Sequence, residues 1–255
     1  MAMRFSYDTG TFEIGRYRGA PIHLCLTFFL TAAALAYPFW RTIDLRGLVL
    51  ASIFVAIFFA SILMHELAHA VVATRYRVRI ERIDINMGGG LVQFRGWPHT
   101  MRQEFLITLA GPLSNLALGL AAVALLMQLP APDPGMIVID GKLVPERFPE
   151  HGMLEQLLRA IAYLNIGLCV VNLLPGIPLD GGKLVYLLVE RRWNTRTALL
   201  TVSSLGMVFA CINGFLLIGT ILAGCPVWAP PAFSTNREAF AAARRGRGGW
   251  DAVAS

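Results

Sequence analysis

Charge is what this sequence has least of. Only 15% of its 255 residues are Asp, Glu, Lys or Arg, against roughly 25% in soluble domains, while 56% are hydrophobic. Mean hydropathy is +0.59. No stretch remains that could fill a large soluble core, and several charge-free apolar runs reach the roughly 20 residues that a bilayer-spanning helix needs. A polytopic membrane protein embedded in the lipid bilayer is expected. Paired cysteines are also lacking. Cys25, Cys169, Cys211 and Cys225 stand singly, without the C-x-x-C spacing of a zinc or redox site, and read as small buried hydrophobes. The first 20 residues are polar, carry Arg4, Arg16 and Arg18, and show no cleavage-site pattern, which argues against a removable signal peptide. No internal repeat is visible. The net charge of +6 is accounted for by the cytoplasmic loops of a membrane protein, so no nucleic-acid partner is expected.

The fold class expected is all-α and polytopic, with five transmembrane helices at about 21–40, 48–74, 105–129, 158–189 and 198–224. The fourth is interrupted by Pro175, Pro178 and Gly181-Gly182. Three segments follow: a cytoplasmic amino-terminal stretch 1–20, a membrane domain 21–225, and a Pro- and Arg-containing tail 226–255. The connection from Arg75 to Arg102 holds six arginines, that from Lys183 to Arg196 four basic residues, and the amino terminus three. The connections 41–46 and 130–157 hold two each, the latter diluted by five acidic residues. By the positive-inside rule the amino terminus and the 75–104 and 183–197 loops face the cytoplasm of a multi-pass cell-membrane protein. The tail disagrees: five spans place it outside, yet it carries Arg237, Arg244, Arg245 and Arg247. Either it is tolerated there, or the Pro-rich stretch 226–232 re-enters the membrane.

Between Ile80 and Phe94 the helical pattern gives way to alternation, Ile83, Ile85 and Met87 against Asp84 and Asn86, then Gly88-Gly89-Gly90, then Val92 and Phe94 around Gln93. Two period-2 runs around glycines predict a short membrane-associated β-hairpin after the second span.

The chemistry is concentrated in His65-Glu66-Leu67-Ala68-His69, which follows the charge-free run Leu48 to Met64. On a helix, histidines four apart share a face and can reach one zinc ion, and the glutamate between them can take a proton from the attacking water. Buried in a membrane helix without a function, such groups would each cost roughly 2–3 kcal/mol. A catalytic site wants a third ligand and one open position. Position 75, where an extended soluble motif has a further histidine, is Arg. Glu81 and Glu104 lie among arginines at loop positions, where solvated ion pairs account for them. Asp180, in Asn172-Leu-Leu-Pro-Gly-Ile-Pro-Leu-Asp-Gly-Gly182, ends a stretch without charge from Ala160 to Leu179 and is the remaining candidate. A helix-end aspartate paired with Lys183 is the bland alternative. His65 lies ten residues before Arg75, roughly 15 Å below the helix end. Unwound backbone around Asp180 is tolerated at depth only where it lines a cavity or is buried in protein. A water-accessible cavity opening toward the cytoplasm is expected.

These motifs together resemble the site-2 protease family of zinc intramembrane metalloproteases, in a small form without a PDZ domain. HELAH at 65–69 matches the first family motif and NLLPGIPLDGG at 172–182 the second. AGPLSN at 110–115 resembles the Gly-Pro-x-x-Asn element of the third helix, and MGGG at 87–90 falls where the family has a glycine-containing hairpin. The resemblance implies one zinc ion held by His65, His69 and Asp180, Glu66 as catalytic base, and membrane-spanning segments of other proteins as substrates. It also implies contacts to substrate from Asn115 and Asn172, and Gly89 and Gly90 belong to the hairpin expected to hold it. From the residues alone, these asparagines are equally read as interhelical hydrogen-bonders. The function expected is zinc-dependent intramembrane cleavage that releases a regulator, such as an anti-sigma factor or a membrane-tethered transcription factor. The alternative is a zinc-binding membrane protein or transporter that keeps the fold without proteolysis.

Overall fold

The computed structural model describes residues 4–6, 10–40, 43–96, 100–130, 136–139, 142–145, 152–222, 233–246 and 249–250. The elements in chain order are β1 (Arg4–Ser6), β2 (Thr11–Tyr17), β3 (Ala20–Cys25), α1 (Thr27–Trp40), α2 (Leu45–Arg75), β4 (Arg79–Asn86), β5 (Gly89–Arg95), α3 (Met101–Leu126), β6 (Met136–Ile139), β7 (Lys142–Pro145), α4 (Met153–Asn172), α5 (Asp180–Arg192), α6 (Thr195–Leu222) and α7 (Phe233–Arg244). Among the described residues, four helical stretches are long and apolar enough to cross a membrane: Leu45–Arg75, Met101–Leu126, Met153–Asn172 and Thr195–Gly214. This is a multi-pass membrane protein, mostly helical, with a small sheet.

The spans differ from the expected five at both interrupted places. The apolar run 21–40 begins as β3, and α1 has only 14 residues, about 21 Å of helix, against a hydrocarbon core of about 30 Å. The stretch 158–189 is two helices, because 173–179 leaves the helical path through Pro175 and Pro178 before α5 starts at Asp180.

The all-α expectation also gives way. Residues within 4–95 build a five-stranded sheet in the order β1-β2-β3-β4-β5. β2 and β3 are joined at Arg18-Gly19, both with positive φ (48° and 90°), a turn whose twist suits a hairpin. β3 and β4 run parallel, pairing Ile22 with Ile83 and Leu24 with Ile85. Parallel neighbours need a crossover, and α1 with α2 supplies it. β4 and β5 form the antiparallel hairpin, with Asn86 opposite Gly89 across a Met87-Gly88 turn. The turn is pinned to α1, since the Thr31 hydroxyl donates to the Met87 carbonyl at 2.9 Å.

The sheet lies along α2. Ile83 and Ile85 are fully buried, Ile83 packing with Ala70 and Val92, Ile85 with Phe28, Phe58 and Ile62. β4 thus retraces the helix that precedes it, past the level of residues 65–69. α3 starts with a capping box, Thr100 accepting from the Gln103 amide and Gln103 from the Thr100 amide. At the far end of the chain, α7 packs on the first half of α6 around Ala198, Leu199, Val202, Ala239 and Ala243.

Candidate active site

α2 buries a stripe at Ser61, Ile62, His65, Glu66, His69, Ala70 and Ala73, the three- and four-residue spacing of one helix face. Ala70 and Ala73 are fully buried, and side chains this small let neighbours approach closely. His65 and His69, one turn apart, bring their Nε2 atoms to 3.1 Å. Asp180, first residue of α5, places Oδ2 3.0 Å from His65 Nε2 and 3.3 Å from His69 Nε2. The three residues that the sequence nominates as ligands, from helices 115 positions apart, meet at one point.

The tautomer of His69 is fixed by α3. Its Nδ1 lies 2.7 Å from the Ile107 carbonyl oxygen, which can only accept, so Nδ1 carries a proton, and in the neutral imidazole Nε2 is left to present its lone pair. That lone pair faces an imidazole nitrogen and a carboxylate oxygen. Electron-rich atoms converge in this way where a cation is to sit. In a tetrahedral zinc site with bonds of about 2.0–2.1 Å, neighbouring donors stand about 3.3 Å apart, close to the separations here. The donor set of two imidazoles and one carboxylate fits zinc, with a fourth position left over.

Glycines give the site its room. A Cβ on Gly111 of α3 would stand 2.6 Å from His65 Nε2 and closer still to His69 Nε2. A Cβ on Gly90 of β5 would overlap the Glu66 carboxylate. Glu66 therefore points toward the hairpin, and the metal-competent cluster comprises His65, His69 and Asp180 without it. Gly181 and Gly182 are equally closely approached, by the backbone of Leu173 and Leu174 and that of Gly176. The loop before Asp180 is folded tightly onto the start of α5.

Asp180 is the most open member, its side chain 19% exposed against 7% and 9% for the histidines. Glu104, expected in a loop, lies in the first turn of α3 and pairs with Lys183 Nζ at 2.5 Å. That ion pair joins α3 to α5 one turn beyond Asp180. Asn115 lies one turn along α3 from Gly111, fully buried, with neither side-chain polar atom bonded. Asn172, at the end of α4, is half-buried and donates to the Leu168 carbonyl at 3.0 Å. Gly89 and Gly90 open β5, and Gly89 has φ +118°. Of the three glycines around which the hairpin is expected, only Gly88 lies in the turn, with Met87, because Gly89 and Gly90 already pair with Asn86 and Ile85.

The sequence model of peptidase family M50 matches residues 53–149 and 133–212, which takes in the histidine pair, Glu66, the Gly111-Pro112 element and Asp180. The chain belongs to peptidase family M50. It is 28% identical over 205 residues to a protein of Synechocystis sp. provisionally named a zinc metalloprotease, covering 77% of this chain and 49% of the relative. A protein of Methanocaldococcus jannaschii named zinc metalloprotease is 29% identical over 216 residues, 85% of this chain and 55% of its own length. Stage IV sporulation protein FB of Bacillus subtilis is 30% identical over 133 residues, 51% of this chain and 38% of the relative. The chain spans about half the length of the first two and less of the third. Among solved structures, the site-2 protease from Methanocaldococcus jannaschii matches with a TM-score of 0.57 at 21% identity, covering 96% of this chain and 95% of that one. The M50 chain thus has the site-2 protease fold.

Sequence reasoning from motifs alone missed three supports of this M50 site: the Ile107 carbonyl, the clearance at Gly111, and the Glu104–Lys183 pair. Only Gly111 had a visible signal, a glycine inside an apolar helix beside a proline.

Proposed function

We propose that the protein is a zinc-dependent endopeptidase that cuts membrane-spanning segments of other proteins within the bilayer. The observation that carries this reading is the convergence of His65, His69 and Asp180 beside Glu66, buried among helices long enough to cross a membrane. The two Nε2 atoms and Oδ2 would hold the metal. Zinc bound there supplies Lewis acidity, making water a nucleophile near neutral pH and polarising a carbonyl. Glu66 takes the proton of the attacking water and returns it to the leaving amine. The Ile107 carbonyl keeps His69 in the tautomer that presents Nε2.

The substrate must be unwound first, since a helical peptide carbonyl is already hydrogen-bonded and crowded. β5 is the edge strand of its sheet, and its Gly90 abuts Glu66. An extended substrate can add to such an edge as a further strand, recovering backbone hydrogen bonds that would otherwise be stranded in lipid. Gly89 and Gly90 would face the scissile region, and the unpaired amide of Asn115 would meet a polar group of substrate once the helices part. Asn172, at the mouth of the Asp180 loop, would serve the same backbone. The membrane-associated hairpin is thus the substrate clamp. Membrane-anchored regulators, such as an anti-sigma factor or a tethered transcription factor, are the substrates this chemistry suits. The arginine-rich loops support an opening of the site toward the cytoplasm, by the positive-inside rule.

The test is purified protein with a panel of single-span membrane proteins, with and without chelator, beside Glu66→Gln. Chelator-sensitive cleavage that Glu66→Gln abolishes, with zinc content unchanged, is the expected result. Zinc binding without cleavage of any panel member, and unaffected by Glu66→Gln, would favour a metal-carrying protein and overturn the protease reading.

A further inference from the structure

The carboxyl-terminal helix reaches back to the loop that carries Asp180. Asn236, on α7, is fully buried and lies against the backbone of Ile177 in two hydrogen bonds. The Ile177 amide donates to Asn236 Oδ1 at 3.1 Å, and Asn236 Nδ2 donates to the Ile177 carbonyl at 2.8 Å. One side chain thereby reads both polar groups of a single residue, as a neighbouring strand would. Ile177 needs such a partner because 173–179 is outside any helix or strand, and its side chain is itself fully buried, against Leu199, Val202 and Ala239 among others.

α6 is shaped to admit this contact. A Cβ on Gly206 would overlap the Asn236 amide, so the glycine is a notch that lets α7 seat at this depth. α7 then runs antiparallel to α6, with the Arg196 guanidinium donating to the Arg244 carbonyl at 3.5 Å. A second contact lies beyond the helix, where the Trp250 ring lies tilted against Tyr186 of α5, 5.4 Å between centroids, with Lys183 Nζ 5.0 Å from the Trp250 centroid.

From Ile177 the constraint passes directly to the metal-competent cluster. The Leu179 amide donates to the Gly176 carbonyl at 2.8 Å, and the backbone of Gly176 lies against Gly182 closely enough to exclude a Cβ there. Asp180 stands between these two contacts. α5 itself starts with the aspartate, and its N-cap, Leu179, makes no side-chain capping bond, so the loop 173–179 sets the position at which the helix begins.

We infer that Asn236 is a positioning residue for Asp180: the carboxyl-terminal helix latches the loop 173–179 through Ile177 and so fixes the third metal ligand. This rests on the reading of Asp180 as a ligand. The latch makes the tail part of the active site, although it lies 56 residues after Asp180 and touches none of the ligands in the contacts described.

The test is zinc affinity, measured by competition with a calibrated chelator on the full-length protein in detergent. Asn236→Ala removes both hydrogen bonds, and Gly206→Ala displaces Asn236 from the other helix. Each should weaken zinc binding roughly tenfold or more, as loss of an outer support typically does. The double variant should lose much less than the product of the two, because both break one latch. Arg237→Ala, on the exposed face of α7, should retain the parental affinity. A folded Asn236→Ala or Gly206→Ala protein with unchanged zinc affinity would overturn the inference. Should both variants fail to fold, hydrogen exchange on the parent decides: the Ile177 amide should exchange as slowly as the core of α6, and fast exchange refutes the latch. A parent that binds no zinc refutes the metal site itself, a separate outcome.

Discussion

Replacing Gly111 by Ala separates the metal site from the fold more sharply than any ligand substitution. The added methyl would stand 2.6 Å from His65 Nε2 and closer to His69 Nε2, where ordinary carbon contacts begin at about 3.5 Å. Something must yield by about 1 Å, while metal–ligand distances tolerate only about 0.2 Å. His69 cannot swing aside without breaking the 2.7 Å hydrogen bond from its Nδ1 to the Ile107 carbonyl, on the same helix as the intruding methyl. Zinc affinity should therefore fall by about 100-fold or more, the upper range for disturbed metal surroundings. Stability of the zinc-free protein should fall by no more than about 2 kcal/mol. Overpacking costs about 1–3 kcal/mol, and exchanging glycine for alanine inside a helix returns about 1 kcal/mol. Chelator competition and thermal unfolding in detergent read the two quantities independently. Gly167→Ala on α4 is the matched control, since nothing lies within 4 Å of its Cβ position, and it should keep parental zinc binding. A Gly111→Ala protein that holds zinc as the parent does would refute the geometry assigned to the site.

Other outcomes follow from the same contacts. Gly90→Ala should push the Glu66 carboxylate aside, lowering kcat by at least tenfold with zinc content unchanged; loss of zinc instead would mean that the hairpin supports the ligands. Asp180→Ala should lower zinc occupancy and activity together, measured by metal analysis and cleavage of a model substrate, whereas parental values for both would move the third ligand elsewhere. Proline scanned through Leu91 to Phe94 should sharply reduce cleavage at one or two alternate positions, since proline cannot donate to a paired strand, and helix-breaking residues in the substrate should partly compensate. Parental rates for every proline variant would sink strand addition. A cysteine at Arg95 should resist an impermeant thiol reagent applied to intact cells, and labelling from outside would reverse the topology.

The convergence of His65, His69 and Asp180 was legible because chemistry restricts such a set: a histidine pair at helical spacing and a lone carboxylate ending an apolar run leave few other readings. Hydropathy said less about backbone. The run from Ala20 to Trp40 carries no Asp, Glu, Lys or Arg and is mostly apolar, and apolarity alone does not separate β3 from α1. The alternation of Ile83 and Ile85 betrayed β4, because one face of that strand is buried and the other is not. β2 offered no such contrast, being half-buried at nearly every position. Asn236 could not be found from sequence at all. Its partners are backbone atoms of Ile177 and the absence of a side chain at Gly206, and neither leaves a mark in the residues around it.

The charge distribution illustrates how local folding resolves a conflict that span counting created. With five full spans the tail arginines fall on the side opposite the other basic stretches. In the structure β3 and β4 pair in parallel across the α1–α2 crossover, so the amino-terminal strands and the arginine-rich 75–102 connection share one end of the molecule. α3 leaves from that end, α4 returns toward it, and α5 continues the return to Arg191 and Arg192. α6 departs again, but α7 doubles back along it, bringing the backbone of Arg244 beside Arg196. Arg18, Arg77, Arg79, Arg95, Arg102, Arg192, Arg196 and Arg244 then lie at the same end, while α3 ends and α4 begins at the other. If the positive-inside rule holds for this chain, that basic end is the cytoplasmic one, which is what labelling at Arg95 tests. The same antiparallel packing of α7 on α6 that sets Arg244 beside Arg196 also sets Asn236 against Ile177, in the loop before Asp180.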